Sequence, residues 1–255
     1  MATDGTPATF YDDLASDYHL IFADWNASIH RQAGVISALL REHGLTRGGV
    51  LDASCGKALG LAEAGYSVTA TDISPVSVER CAREAAARGL TVTTGVADLR
   101  TLDRDVAGPF DAVVSFDNAL PHLLDDADLL AAAESVRRVL RPGGVLLASI
   151  RDYDTLLKER PSGDLPRRFQ SDSGERVVVQ LWDWFETDRY TARHFIIDGS
   201  PAGCWTVAER TTSYRALSRA TLSDVLQHAG LEAICWQMPE RTGFYQPVVT
   251  ARAPA

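Results

Sequence analysis

Short apolar runs alternate with longer stretches of helical spacing between residues 49 and 154. The apolar runs predict buried strands, and the stretches between them predict helices. The predicted strands are residues 50–53, 68–72, 92–96, 110–116 and 145–150. The predicted helices are residues 58–64, 76–88 and 127–140. Strands separated by helices predict right-handed crossovers and a mainly parallel sheet in an α/β fold.

Helical spacing also predicts structure before the first strand. Aromatic and aliphatic residues recur at that spacing from Phe10 to Trp25, and Ser28 is placed to cap a second helix that ends at Gly44. Because many aromatic side chains and one cation, Arg31, precede the first strand, we predict a lid; a pair of helices packed on the sheet is the alternative. Residues 1–9 are small and polar and are predicted to be disordered.

The polarity pattern changes after residue 154. Residues 155–174 are rich in Pro, Gly, Ser, Asp and Arg and are predicted to form a loop. The later predicted elements are strands at 176–185, 190–197 and 204–217, a helix at 221–229, and strands at 232–237 and 245–252. The chain thus divides into a disordered tail, a helical lid, a core, an antiparallel cap, and a C-terminal part that completes the core sheet. Their bounds are residues 1–9, 10–48, 49–154, 155–217 and 218–255.

Composition narrows the function classes. A chain of 255 residues with 45% hydrophobic content can form one large domain, or one domain with a cap. The net charge of −9 argues against nucleic acid or an anionic membrane as partner. No apolar run reaches the roughly 18 residues of a membrane helix, and no signal-peptide pattern is present. The four cysteines form no CxxC pair, so we expect no metal site, no disulfide framework and a cytoplasmic location.

Acidic and polar residues stand at the carboxyl ends of successive predicted strands, where ligands of open α/β sheets bind. The candidates are residues 52–56, Asp72, Asp98, Leu99, Asp117, Asn118, Arg151, Asp152 and Tyr153. Asp72 can accept two hydrogen bonds from ribose hydroxyls, and Asp98 followed by apolar Leu99 suits an adenine edge. Each aspartate alone could equally be a cap or a turn residue. Their recurrence at successive strands is the stronger signal.

These motifs resemble those of class I S-adenosylmethionine-dependent methyltransferases. Residues 50–56 resemble the first motif of the family, residues 71–74 its ribose-binding motif, residues 96–99 its adenine-binding motif, and residues 138–144 the turn before its fifth strand. The resemblance implies a Rossmann-like sheet that is mainly parallel with an antiparallel last strand, S-adenosylmethionine as cofactor, S-adenosylhomocysteine as product, and a small-molecule acceptor. The cofactor-binding residues of these motifs and of the fourth strand end are Asp52, Ala53, Ser54, Gly56, Asp72, Ile73, Asp98, Leu99, Asp117, Asn118 and His122.

A narrower resemblance is to the glycine/sarcosine N-methyltransferases. It rests on residues 10–12, 18–22, 25, 28–32, 117–122 and 243–247. It implies that Tyr11 and Trp25 lie near the cofactor, with Trp25 against the adenosyl group, and that Arg31 pairs with the methionyl carboxylate. Arg151 and the residues up to Asp154 match the stretch that faces the amino-acid substrate in relatives.

Methyl transfer requires positioning of the acceptor more than covalent help. A substrate carboxylate is best bound by a bidentate arginine; Arg151 is the first candidate, and Arg168 is the second because its loop should overhang the site. His122 is either a proton acceptor or a partner of a backbone carbonyl after the fourth strand. The predicted catalytic residues are Tyr18, His122, Arg151 and Tyr153, and the predicted substrate-binding residues are Tyr18, Asn118, Arg151, Tyr153, Arg168 and Trp182. For Trp182, core packing is the simpler interpretation.

The turn after the first strand departs from the family. Relatives carry a second glycine there, whereas Gly56 is followed directly by Lys57, so the turn is about three residues shorter. The turn is naturally short, or engineered, or residues are missing between Gly56 and Lys57; we favour missing residues, because the other motifs are intact.

Two function classes therefore remain. The first is a methyltransferase of a small amine or amino acid, with N-, O- or C-methylation of a specialised metabolite still open. The second is a methyltransferase-like fold that has lost cofactor binding and acts as a binding or regulatory module. The acceptor and the oligomeric state are not determined, and a homo-oligomer is possible.

Overall fold

A computed structural model describes residues 6–171, 174–200 and 203–255. Its helices are α1 (Pro7–Leu14), α2 (Trp25–Glu42), α3 (Ala58–Glu63), α4 (Pro75–Ala87), α5 (Leu102–Asp105), α6 (Asp126–Val139), α7 (Tyr153–Glu159), α8 (Arg219–His228) and α9 (Pro239–Thr242). Its strands are β1 (Gly49–Asp52), β2 (Ser67–Asp72), β3 (Val92–Val96), β4 (Phe110–Ser115), β5 (Leu140–Ser149), β6 (Arg167–Ser171), β7 (Gly174–Trp184), β8 (Arg189–Gly199), β9 (Trp205–Arg215), β10 (Glu232–Gln237) and β11 (Val248–Arg252). Short 3₁₀ turns lie at Tyr18–Ile21, Leu99–Thr101 and Leu120–His122.

A seven-stranded sheet forms the centre of the fold, in the order β3-β2-β1-β4-β5-β11-β10. The first five strands in this order are parallel, β11 runs antiparallel to β5, and β10 runs antiparallel to β11. The predicted α/β fold with a mainly parallel sheet and an antiparallel last strand is therefore confirmed. The parallel strands end along one edge, which brings the predicted strand-end residues together.

The central strands are apolar on both faces because both faces are covered. Val113 and Val114 of β4 are adjacent residues with no exposed surface, and they belong to different core clusters. One cluster contains residues of α6 and α8, and the other contains residues of α2 and α3. Two-sided burial produces the continuous apolar run that predicted this strand.

A four-stranded antiparallel sheet, β6-β7-β8-β9, forms the cap. The loop predicted at residues 155–174 was wrong in two places, because most of α7 and all of β6 lie within that range. Strand β6 pairs with β7, with Arg168 opposite Val177. Its sequence alone is polar, and the partner strand supplies its backbone hydrogen bonds.

The N-terminal segment also differs from the prediction. Helix α1 begins at Pro7 because the Thr6 side chain accepts a hydrogen bond from the Thr9 amide, so the predicted disordered tail was wrong for residues 7–9. Residues 1–5 lie outside the described residues. Asp24 rather than Ser28 caps α2. None of the helices in the described part of the chain has the length and apolar character needed to span a bilayer.

Candidate active site

A cavity of about 600 Å³ lies at the carboxyl ends of β1 to β4. A volume in this range suits a small organic ligand. The predicted site residues that line it are Tyr11, Tyr18, Trp25, Ala53, Ser54, Gly56, Asp72, Ile73, Asp98, Leu99, Asp117 and His122. The predicted site residues that are not among its lining residues are Arg31, Asp52, Asn118, Arg151, Tyr153, Arg168 and Trp182. The structure thus brings together most of the strand-end residues, and it places the predicted cations outside the cavity wall.

Asp52 lies beneath the turn that follows β1 and is fully buried. Its carboxylate accepts hydrogen bonds from the Lys57 amide at 2.6 Å and the Ser54 amide at 3.4 Å. Burial raises the pKa of Asp52 to about 6, although these amides favour the charged form. Asp52 therefore holds the turn in place and does not face the cavity.

The short turn between β1 and α3 consists of residues 53–57. The chain runs directly from Gly56 to Lys57, and the structure closes the turn with these residues. Cys55 takes the left-handed conformation, with φ at 47°, and Lys57 immediately precedes α3. Left-handed backbone at a residue other than glycine costs of order 1 kcal/mol and persists where the surroundings hold it.

Lys57 is a buried cation that the sequence analysis did not select. Its side chain is 3% exposed, and its ammonium contacts the Asp117 carboxylate and the Gln32 side-chain oxygen. The Tyr245 hydroxyl donates to the other oxygen of Asp117. This ion pair fastens the shortened turn to the end of β4. The available signal was a lysine directly before an apolar helix.

Asp72 closes β2 and faces the cavity while being 9% exposed. The Ser74 amide donates to one of its oxygens at 2.9 Å. Burial raises the pKa of Asp72 to about 7, and the nearby charges of Asp52 and Asp12 act in the same direction. A carboxyl group with this pKa can exchange its proton for a ligand's hydroxyl donors near neutral pH.

Asp98 is held by a neighbour that the sequence analysis missed. The Arg100 guanidinium contacts both oxygens of Asp98, at 3.0 and 2.6 Å, and it also reaches Asp128 at 2.8 Å. Burial would raise the pKa of Asp98, but the hydrogen bonds and charge of Arg100 outweigh it and hold the pKa below its usual range. An adenine amine at this position would share the carboxylate with Arg100.

His122 lies between the cavity and the cap. Its Nε2 is 3.1 Å from the Tyr11 hydroxyl, and its ring centroid is 4.3 Å from that of Tyr214. Burial lowers the pKa of His122 to about 3, so the imidazole is neutral at ordinary pH. It also has a backbone hydrogen bond at Ser213 of β9 in the cap, and not at the carbonyl after the fourth strand that one of the two interpretations expected. A side chain with this pKa does not retain a proton taken from a substrate at neutral pH.

Arg151 does not line the cavity. It lies inside a cluster of aromatic side chains that includes Tyr214, which packs on the cavity-lining His122. Its guanidinium donates to the Tyr190 hydroxyl at 2.6 Å and to the Gln180 side chain at 2.8 Å. It also lies 4.9 Å from the ring centroid of Trp182 and 5.2 Å from that of Tyr214. Within the described residues, no carboxylate forms an ion pair with Arg151. Its hydrogen-bond partners there are neutral.

The remaining predicted substrate residues support this cluster or lie elsewhere. The Tyr153 hydroxyl, fully buried, bridges the Asn118 side chain and the Tyr190 hydroxyl at 3.0 Å each. Arg168 lies on β6 with its side chain 73% exposed and paired with Glu175, so it does not overhang the cavity as expected. Arg31 is exposed on α2 and contacts Ser28 at 3.4 Å.

Residues 50–144, which supply the floor of the cavity, match the family described as methyltransferase domain. The chain is 33% identical to a glycine/sarcosine N-methyltransferase of Parasynechococcus marenigrum, over 61% of this chain and 55% of that protein. It is 31% identical to the glycine N-methyltransferase of Rattus norvegicus, over 62% of this chain and 58% of that protein. The chain thus spans little more than half the length of these curated relatives.

Solved structures share the fold over nearly the whole length of this chain. Streptomyces venezuelae DesVI superposes with a TM-score of 0.79 at 17% identity, covering 94% of this chain and 98% of that one. An S-adenosylmethionine-dependent methyltransferase from Clostridium acetobutylicum gives 0.74 at 16% identity, covering 96% and 99%. CalS10, an amino pentose methyltransferase from Micromonospora echinaspora solved with S-adenosylmethionine bound, gives 0.70 at 19%, covering 88% and 91%. The fold is therefore the Rossmann-like fold of these methyltransferases, with the cap included.

Proposed function

We propose that this protein is an S-adenosylmethionine-dependent methyltransferase whose acceptor is the amine of a small amino acid such as glycine or sarcosine. The observation that carries the acceptor class is the half-buried Arg151 guanidinium, which has neutral hydrogen-bond partners and no acidic ion-pair partner in the described residues. A partly desolvated charge without a counterion is unfavourable, and a substrate carboxylate that reaches it beside the cavity would compensate it. The names of the curated relatives support the same acceptor.

Three features of the cavity fit the cofactor. Asp72 presents a carboxyl group that can accept ribose hydroxyls. Ser54 lines the same cavity, and its buried hydroxyl oxygen has no hydrogen-bond partner among the described residues, so a ligand polar group would satisfy it. The turn at Gly56 leaves room, since a Cβ there would come no closer than 3.6 Å to another heavy atom. When bound, S-adenosylmethionine supplies an electrophilic methyl group.

The side chains at the inner end of the cavity position the acceptor. Tyr11 is oriented by its hydrogen bond to the neutral His122, and Tyr18 lies near Asp117 and Gly56. Burial raises the pKa of both tyrosines well above 10, so both hydroxyls stay protonated and can orient an amine. The amine must arrive unprotonated or lose its proton to solvent, because His122 with a pKa of about 3 is a poor base. Enclosure and alignment are then the main contributions of this chain.

Methyl transfer to acceptors matched in size tests the proposal. Glycine and sarcosine should be methylated, whereas ethylamine, which lacks the carboxylate, should react at least about tenfold more slowly at equal concentration because it makes no charge-assisted bond to Arg151. The measurement is the formation of S-adenosylhomocysteine and of the methylated amine. Methylation of an amino sugar with no reaction of any amino acid would contradict the proposed acceptor.

Substitution of Arg151 separates substrate binding from cofactor binding. Arg151→Ala should raise the KM for the amino acid by about tenfold or more and leave the Kd for S-adenosylhomocysteine within about twofold. Arg168→Ala, which replaces an exposed arginine of the cap, is the matched control and should change neither value. An equal loss in both measurements would mean that Arg151 is structural.

Cofactor binding itself has an independent test. S-adenosylhomocysteine at about 100 times its Kd should stabilise the folded protein by about 2.7 kcal/mol in a thermal-shift titration. A protein that shows no shift with either S-adenosylmethionine or this product would be a binding or regulatory module with a methyltransferase fold.

A further inference from the structure

A cofactor with an amino-acid end brings a carboxylate into the cavity, and the arginine expected to meet it is elsewhere. Arg31 is exposed on α2 and contacts Ser28. Among the described residues that line the cavity, the arginines are Arg80 and Arg100. Arg100 is already held between Asp98 and Asp128, at the part of the cavity that the adenine-binding motif forms. Arg80 is therefore the cation to consider.

Arg80 lies on the inner face of α4, with its side chain 14% exposed. Its guanidinium lies 5.4 Å from the ring centroid of Tyr18 and 5.2 Å from that of Trp25. The Tyr18 hydroxyl lies 4.0 Å from the position that a Cβ on Gly56 would take. Two aromatic rings thus hold this cation, and the hydroxyl of one of them, Tyr18, reaches the shortened turn.

The charge on Arg80 is only partly balanced within the protein. Its Nη2 is 2.6 Å from Glu84 Oε1, but the orientation of the two groups does not allow a hydrogen bond. The same carboxylate also accepts from Arg88 at 3.1 Å and from the Trp25 indole at 2.9 Å. One carboxylate therefore serves two guanidinium groups, so Glu84 compensates the charge on Arg80 only in part. A ligand carboxylate would neutralise it.

We propose that Arg80 binds the carboxylate of the cofactor's amino-acid end, in place of Arg31. The proposal rests on the proposed function, since it concerns the same cavity. Asp72 at β2 and Asp98 at β3 occupy the ribose and adenine positions, so the amino-acid end extends toward the turn at Gly56, where Arg80 lies. The shortened turn presents fewer backbone amides to the amino-acid end of the cofactor. The Arg80 side chain of α4 supplies part of the hydrogen bonding that those amides would give.

Two ligands that differ only at this end test the proposal by calorimetry. S-adenosylhomocysteine carries the amino-acid end, and 5′-methylthioadenosine keeps the nucleoside and lacks it. Arg80→Gln should weaken the binding of S-adenosylhomocysteine by about tenfold or more and change that of 5′-methylthioadenosine by less than about twofold. Arg83→Gln is the matched control, because Arg83 lies on the same helix in an i,i+4 pair with Glu79 and is 60% exposed. Arg31→Gln tests the role implied by the resemblance, and both control variants should bind both ligands like the wild type.

Each other outcome has a definite meaning. Equal weakening of both ligands by Arg80→Gln, or no weakening, overturns the proposal, and so does a selective loss in Arg31→Gln. If Arg80→Gln does not fold, Arg80→Lys keeps the charge and removes the planar fork. A selective loss of about threefold or more with S-adenosylhomocysteine then supports the proposal, and unchanged affinity overturns it. A wild-type protein that binds neither ligand contradicts the proposed function itself.

Discussion

Asp72 shows at the residue scale how burial sets the chemistry of a binding group. Its pKa of about 7 lies far above the usual value of 3.8, because burial and the charges of Asp52 and Asp12 disfavour the carboxylate. Near neutral pH the unliganded protein therefore carries this proton in part. Two ribose hydroxyls that donate to Asp72 would favour its charged form.

Binding of S-adenosylhomocysteine should therefore release a proton near pH 7. The affinity should rise between about pH 6 and pH 8, because the proton no longer has to leave Asp72 once the pH exceeds its pKa. Calorimetry in two buffers of different ionisation enthalpy measures the release directly. Asp72→Asn should bind more weakly and lose this release. Release that is unchanged in Asp72→Asn would place the titrating group elsewhere.

Close packing of α2 on α3 fixes the helix that follows the short turn. Gly60 of α3 faces α2, and a Cβ on Gly60 would lie 2.6 Å from the Ala33 Cβ and 2.9 Å from the Ile29 carbonyl oxygen. At Gly34 of α2, no described residue outside the helix's own nearby backbone has an atom within 4 Å of the Cβ position. The two glycines thus have opposite roles, although both lie in helices.

Alanine substitution should separate these roles. Gly60→Ala should lower the free energy of unfolding by about 1–3 kcal/mol, because backbone atoms must move to admit the methyl group. Gly34→Ala should raise it by up to about 1 kcal/mol, because alanine is the better helix former. Urea unfolding of both variants measures the difference, and equal effects would contradict the packing described for Gly60.

The stability of the whole molecule depends on enclosed neutral histidines. His194 lies in the cap, and burial lowers its pKa to about 3, with the charge of Arg151 acting in the same direction. Its ordinary pKa of about 6.5 returns on unfolding, so the unfolded chain takes up a proton that the folded protein does not. The stability contribution of this group therefore falls as the pH decreases from about 6.5 toward 3.

Substitution of His194 should reverse that loss. The free energy of unfolding of His194→Gln, relative to wild type, should rise by up to about 2 kcal/mol between pH 7 and pH 5. Comparing the variant with wild type at each pH removes the opposing contributions of Asp52 and Asp72, whose raised pKa values favour folding at low pH. His19→Gln, at an exposed position, is the control and should show no such change. A relative stability that does not vary with pH would contradict the low pKa of His194.

Local pattern was sufficient for the core sheet and the floor of the cavity. Apolar runs separated by helical spacing predicted β1 to β5, because strands buried on both faces need continuous apolar side chains. Parallel strands end at one edge, so Asp72, Asp98 and Asp117 could be placed near one another without coordinates. Boundaries were less certain, as the early start of α1 and the polar strand β6 show, because they depend on caps and partner strands.

The sequence by itself determined the α/β fold, the strand-end carboxylates and the resemblance to the glycine/sarcosine N-methyltransferases. Only the tertiary structure decided which cations meet the cavity. Arg31 points to solvent, Arg80 lies between two aromatic rings at the shortened turn, and Arg151 lies behind the cavity wall. A long charged side chain carries no periodic signal, and its position depends on packing between elements that are far apart in sequence.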